Sequence, residues 1–439
     1  MVHWFFPFAF LDLLAYGAAG LLKALVFLGL VLFIAMLALW MERKIAGRIQ
    51  DRLGPTRTGG RFGWLQSPAD GLKLLMKEDL MPAAADPLLF RLAPYVSFGA
   101  AFCLFVVWPV ADGWVPVQWD SALFFFLAVA GLEVFGVILA GYGSGSKWAL
   151  FGAMREAAQV VSYEVPLGLC VVVPVLSAGT MDLVEIARLQ EGWFTSWLIF
   201  HDPFTFFTFW IYAACVLAGV NRAPFDLPEA ESELVAGFAT EYSGFRWAVF
   251  FMAEYTAMFA WSGLGTIVFF GGWNGPVPVA AWLGLVPANG HLAAFSGNLL
   301  GMLNFLLKAF LGLTVMIWVR WSLPRLRIDQ VIAMCWKYCV PLAAAMLTGA
   351  VLWQVLAVQL APTALSVPHT SSELENYTPF PSSAPKEANL PSSSMPTRWE
   401  NSPSSSTSAG RKENRREENL WLPYPAVMIR LGNLGGLLL

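Results

Sequence analysis

Eight apolar stretches, each close to the length of a bilayer crossing, run through the 439-residue sequence, at about 21–41, 88–110, 121–142, 157–178, 204–220, 246–271, 298–319 and 333–358. A helix rises about 1.5 Å per residue and a hydrocarbon core is about 30 Å thick, so roughly 20 apolar residues suffice to cross it. Inside lipid every backbone polar group must find a partner within the protein, and a run of this length meets that demand as a helix. Only 13% of the residues are charged, against about 25% in an ordinary soluble domain. The expected fold class is an all-α polytopic membrane protein with about eight transmembrane helices.

The basic residues set an orientation. Arg43, Lys44, Arg48, Arg52, Arg57, Arg61, Lys73 and Lys77 follow the first stretch, and Lys147 and Arg155 follow the third. Arg222 and Arg246 follow the fifth, and Arg320, Arg325 and Arg327 the seventh. The intervening loops 111–120 and 272–297 carry no Lys or Arg, and 179–203 carries only Arg188. Positive charge stays on the cytoplasmic side, so both termini are expected on the non-cytoplasmic side of a multi-pass cell inner-membrane protein.

Three segments fall outside the spans. Residues 1–20 read as an interfacial lead-in, with Trp4 and Tyr16 suited to the headgroup level, and no basic n-region marks a cleavable signal. Residues 68–77, PADGLKLLMK, alternate apolar and charged side chains and read as an interfacial amphipathic helix or as a surface helix packed on protein. Residues 361–439 are a Ser/Pro-rich extension expected to be disordered, since such a composition buries too little apolar area to offset the ordering entropy. The intervening 21–360 is one eight-span membrane domain.

Chemistry narrows next. The net charge of −3 says nothing about nucleic acid, but no basic patch interleaved with aromatics is present, and no nucleic-acid partner is expected. The four histidines, His3, His201, His291 and His369, lie outside the spans, and the five cysteines form no paired ligand set. No haem, zinc or iron–sulfur site is therefore expected on this chain. GYGSGSK at 141–147 lacks the Gly-Lys-Ser/Thr order of a phosphate loop and reads as a helix C-cap.

What stands out is acid. Asp226, Glu229, Glu231, Glu233 and Glu241 fall within 16 residues, and Glu254 follows inside the next apolar run. From charge alone this stretch is as well explained by a solvated loop as by a functional one. Glu42, Glu133, Glu164 and Lys308 lie in or beside other spans. Ionisable groups on several spans point to a connected polar path, because each is costly in hydrocarbon unless it lines a protein interior. Burial raises the proton affinity of a carboxyl group and a neighbouring cation lowers it, so such a path suits proton carriage. The arginines of RWSLPRLRIDQ, 320–330, are accounted for as positive-inside anchors.

Five segments resemble a known family. They are MERKIAGRIQDRLGP (41–55), LQSPADGLKLLMKEDLMP (65–82), ALFGAMREAAQVVSYEVPL (149–167), NRAPFDLPEAESELVAGFATEYSGFRWAVFFMAEY (221–255), and FLLKAF with IWVRWSLPRLRIDQ (305–330). In this order they are similar to the H-type membrane subunits of bacterial respiratory NADH:quinone oxidoreductase, complex I. The resemblance implies a subunit of a proton-translocating enzyme, not catalytic alone. It implies quinone as substrate, FMN and iron–sulfur clusters on partner subunits, and peripheral quinone-module and membrane-arm subunits as partners. It also assigns Glu42, Arg43, Gln50, Arg52, Ala69, Asp70 and Lys73 to a quinone chamber. Glu133, Glu164, Glu229, Glu231, Glu233 and Glu254 become an acidic funnel for proton coupling. The tail beyond the eighth span departs from the family pattern. Two other readings stay open: a membrane anchor of an ion-pumping hydrogenase or formate-hydrogenlyase complex, and a stand-alone cation transporter. The latter would bring inverted repeats, and the sequence offers no convincing self-similarity.

Overall fold

A computed structural model describes residues 6–229, 231–285 and 291–360, and for residues 6–19, 231, 232, 281 and 357–360 it describes the backbone alone. The extension at 361–439 lies outside the described residues. In chain order the helices are α1 (Phe6–Ile49), α2 (Gln66–Met76), α3 (Pro87–Cys103), α4 (Ala122–Gly143), α5 (Lys147–Ala178), α6 (Leu183–Leu189) and α7 (Pro203–Gly219). Then come α8 (Glu231–Leu234), α9 (Gly244–Phe269), α10 (Val279–Trp282), α11 (His291–Ser322), α12 (Ile328–Met334) and α13 (Val340–Leu360). Among the described residues there is no β-strand, only an isolated bridge between Ala111 and Trp114.

Each expected stretch is helical, with shifted ends. Among the described residues six helical segments are long and apolar enough to cross a membrane: those of α1, α3, α4, α5, α11 and α12–α13. α7 is a shorter apolar helix. α1 is unbroken for 44 residues, so the lead-in and the first span form one helix. α5 begins ten residues before the expected 157, because ALFGAMREAAQ continues the helix instead of forming a loop. Between α12 and α13 the turns widen into a π-helix at Cys335–Cys339.

Helix starts and close crossings follow local chemistry. Asp86 caps α3 by accepting from the backbone N–H groups of Leu88 and Leu89, and Asp202 caps α7 through Thr205, each with Pro as the first helical residue. α4 crosses α3 so tightly at Gly136 that a methyl group there would overlap Ser97. Small residues at such crossings let backbones approach where no hydrophobic effect drives helices together.

α9 is the central helix. Every residue from Tyr255 to Phe269 is buried. It packs on α1, α2, α3, α6 and α11, with Trp108, Phe259 and Phe305 forming an aromatic cluster beside it. From Tyr255 to Phe269 the helix is enclosed on every side by protein, which places it in the core. α2 lies against α1 and α9, with Ser67 buried and Leu72, Leu75 and Met76 exposed. It therefore packs on protein and also presents an apolar face outward.

The loops sort into two ends. Leu80 N–H donates to Ser243 Oγ, Arg246 pairs with Asp79 at 2.9 Å, Asp86 N–H donates to the Gly143 carbonyl and Leu326 N–H to that of Pro224. These contacts gather the basic loops at one end. At the other, Leu123 N–H meets the Met181 carbonyl and Asn298 Nδ2 the Asp112 carbonyl. The alternation of basic and bare loops thus maps onto opposite ends of one bundle.

Candidate functional site

Near the basic end, three helices and one loop converge on Glu42. This residue lies close to the C-terminal end of α1 and is 5% exposed. Its Oε1 accepts from Arg222 Nη1 at 3.3 Å and from Arg320 of α11. Its Oε2 accepts from the Tyr255 hydroxyl of α9. Arg222, in the loop after α7, is also buried, and its Nε lies 2.7 Å from Glu254 Oε1. The guanidinium carbon sits 4.5 Å from the centre of the Tyr255 ring. The Nε–H is not aligned with that oxygen, and among the described residues Nη2 has no hydrogen-bond acceptor.

Two carboxylates and two guanidiniums cancel in charge here. Removing such groups from water costs several kcal/mol per ion, so the cluster persists only because each charge faces its opposite. Arg222 is shared: one guanidinium lies between Glu42 and Glu254 and is fully satisfied by neither.

From Glu254 the acids continue into the bundle. A small cavity of about 40 Å³ is lined by Glu254, Glu229, Glu156 and Glu133. A larger one of about 380 Å³ is lined by Glu133, Glu156 and Glu164 together with Tyr163, Asn221 and mostly apolar side chains of α4, α5, α7 and α9. Glu133, Glu156 and Asn221 border both cavities. Asn221 donates to Glu156 Oε1 at 2.9 Å and accepts from Gln159 Nε2 at 3.0 Å. Among the described residues Glu156 Oε2 has no hydrogen-bond partner. Glu164 is exposed on the outer side of α5, at the edge of the large cavity.

The α1–α2 side is knitted separately. Arg43 pairs with Asp70, which also lies 3.7 Å from Lys73. Trp40 stacks on Trp64 at 4.2 Å between ring centres, and its Nε1 donates to the Phe62 carbonyl at 3.0 Å. The chain between α1 and α2 thereby folds back onto α1.

A model of the NADH dehydrogenase family matches residues 22–351. The H-type subunit of the NADH-quinone oxidoreductase of Anaeromyxobacter dehalogenans (strain 2CP-C) is 44% identical over 347 residues, 78% of this chain and 83% of that protein. Its counterpart in Chlorobium luteolum is 44% identical over 331 residues, 74% of this chain and 87% of that protein. That of Geobacillus thermodenitrificans is 44% identical over 324 residues, 74% and 90% respectively.

The chain belongs to the NADH dehydrogenase family. Its relatives there are H-type subunits of NADH-quinone oxidoreductase, an enzyme complex.

Within this NADH dehydrogenase family chain the expected site residues divide into groups. Glu133, Glu229 and Glu254 meet around the small cavity, and Glu133 and Glu164 around the large one. Glu233 turns outward and pairs with Arg155 at 2.6 Å. That guanidinium, by hydrogen bond and charge, holds the Glu233 carboxyl below the usual carboxylate value. The side chain of Glu231 lies outside the described residues. Of the chamber set, Glu42 joins the buried cluster, while Arg43 and Asp70 pair beside Ala69 and Lys73 on α2. Gln50 and Arg52 are exposed and hydrogen-bond to each other at 2.7 Å.

Four participants were not singled out from sequence. Glu156 lies in MREAAQ, where neighbouring polar residues suggest a helix end. Arg222 and Arg320 look like positive-inside residues, and both turn inward instead. Tyr255 has no feature beyond its position after Glu254. No local signal marks Glu156: Arg155 is adjacent on the helix and faces elsewhere, and Gln159 only adds to the polar look of the segment.

Proposed function

We propose that this chain is the membrane subunit of a proton-pumping NADH:quinone oxidoreductase, and that it forms much of the quinone chamber and links quinone reduction to proton movement. The observation that carries this reading is the shared guanidinium of Arg222, which lies between Glu42 beside the α1–α2 segment and Glu254 at the head of the acids. The chamber side comprises Glu42, Arg43, Ala69, Asp70 and Lys73, with Gln50 and Arg52 at its outer rim. The coupling side comprises Glu254, Glu229, Glu133, Glu156 and Glu164, and Glu231 and Glu233 belong to the loop that carries it.

The chemistry follows from charge. Reduction of a quinone to a quinol takes two electrons and two protons, and between their arrivals the headgroup is anionic. An anion at the chamber draws on the guanidiniums that hold Glu42. When Arg222 moves toward Glu42, Glu254 loses its counter-charge, and a buried carboxylate without one takes up a proton. Glu133 and Glu156, which border both cavities, then lie next along the path. Electrons come from partner subunits that dock on the basic end. That end faces the cytoplasm, and the termini lie on the opposite side of the cell membrane.

The test is photo-crosslinking of a quinone analogue in the intact complex, followed by peptide mapping. Label on residues 42–76 supports the chamber. Label confined to other segments removes it.

A further inference from the structure

At the end of the bundle away from Glu42, Lys308 of α11 reaches the turn that follows α9. Its ammonium donates to the carbonyls of Phe270 at 2.6 Å, of Gly272 at 3.2 Å and of Asn274, and it lies 4.5 Å from the centre of the Trp197 ring. A lysine has three N–H donors and no acceptor, and here three carbonyls meet them. Among the described residues, these partners include no carboxylate. Neutral oxygens at a helix C-terminus, closed by an aromatic face, select a single positive charge.

The turn is also held by bonds that do not involve Lys308. Gly271 and Gly272 adopt φ of 75° and 56°, which folds the backbone back so that its carbonyls converge. The Gly271 N–H donates to Gln190 Oε1 at 3.0 Å, and Gln190 is anchored in turn on the Ile267 carbonyl at 2.8 Å. Asn274 Nδ2 holds the Ala187 carbonyl at 2.6 Å, and Asn304 Nδ2 holds that of Trp273 at 2.9 Å. Four bonds that do not involve the ammonium therefore pin the turn.

We propose that the turn after α9 is a binding site for one primary ammonium ion, which Lys308 fills in this chain, and that a free alkylammonium of matching length can replace it. This site is separate from the acids and goes beyond the proposed function. Truncation of Lys308 to Ala removes three carbons and the nitrogen, which is the composition of n-propylammonium.

The experiment uses the whole complex in detergent and reads the temperature at which this subunit dissociates, so it depends neither on turnover nor on a proton gradient. Lys308→Ala lowers that temperature by several degrees, and n-propylammonium restores most of the loss with half-effect on the order of 10 mM, as expected for so small a ligand. Tetramethylammonium, which has the charge but no N–H, restores none. Lys308→Met, which refills the space without a donor, keeps the deficit and does not respond to propylammonium. If Lys308→Ala yields no assembled complex, growth with n-propylammonium recovers it. The proposal is overturned by a variant as stable as the parent, by a loss indifferent to propylammonium, by equal rescue with tetramethylammonium, or by failure of the amine to recover assembly.

Discussion

Each end of the bundle buries positive charge, and the two ends hold it by different means. Near the basic end Arg222 and Arg320 face the carboxylates of Glu42 and Glu254. At the far end Lys308 is enclosed by backbone carbonyls and an indole face. A carboxylate can accept a proton and release its partner, whereas a carbonyl cannot. The acceptors of the first arrangement can therefore change charge, and those of the second cannot; there the lysine itself is the group that can. Both act on α9, which carries Glu254 and Tyr255 toward one end and runs into the carbonyl turn at the other.

The largest effect is expected where a shared charge is removed. Arg222→Met leaves Glu254 without its cation and buried Glu42 with Arg320 alone, and costs about 3–5 kcal/mol. The subunit is then depleted from the assembled complex on a native gel, and Glu254→Gln added to Arg222→Met recovers part of it. A single Arg222→Met as mild as Lys308→Met would break the contrast between the ends.

Next is coupling. In a double-mutant cycle on the heat dissociation of the complex, Glu42→Gln and Glu254→Gln interact by about 1–3 kcal/mol, because both act on Arg222. Glu254→Gln and Lys308→Met, at opposite ends and about 24 Å apart along the helix axis, add to within about 0.5 kcal/mol. Non-additivity in the second pair would mean that α9 transmits strain along its length.

Glu164→Gln probes the far reach of the acids. Quinone reduction and coupled proton uptake fall severalfold while assembly is unchanged, because the side chain is exposed on α5 and only borders the large cavity. Full activity in vesicles would remove Glu164 from the path. Smallest of all is Glu233→Gln, which breaks an exposed pair with Arg155 and costs about 0–1 kcal/mol. The carboxyl is held below its ordinary value in the folded chain, so what the pair contributes is complete above the unfolded value of about 4.3 and is lost as the pH falls through the lower folded value. Thermal midpoints of parent and variant therefore differ by a constant between about pH 5 and 8 and converge on acidification.

The helices and the sorting of loops into two ends were legible in the sequence, because apolar length and basic alternation report them directly. Glu133, Glu164 and Glu254 were legible as acids inside apolar runs. Glu156 was not, since its neighbours Arg155 and Gln159 make the segment look like a polar helix end. The pairings were hidden for a different reason. Arg222 and Arg320 reach Glu42 across 180 and 278 residues of chain, and a lone arginine records its charge without recording its partner. The cage around Lys308 was hidden too, because its acceptors are backbone atoms that any residue supplies.

The burial of α9 has a consequence for how the protein is made. Among the described residues six helical segments are long and apolar enough to cross a membrane; α9, at 26 residues, has the length but is not among them, because Glu254 and the helix's small and hydroxyl-bearing residues lower its apolarity. Its Glu254 adds roughly 2.5–3.5 kcal/mol to the cost of insertion if it stands alone in lipid. α9 is therefore a poor candidate to leave the translocon by itself. The loop that carries Arg222 is synthesised before it, and α11, with Arg320 and Lys308, after it. An early ion pair with Arg222 can neutralise Glu254 while α9 waits at the translocon, and the helix reaches its final place only when α11 arrives to close over it. The place of α9 in the bundle thus rests on what its neighbours supply, a counter-charge from the loop before it and a covering surface from the helix after it.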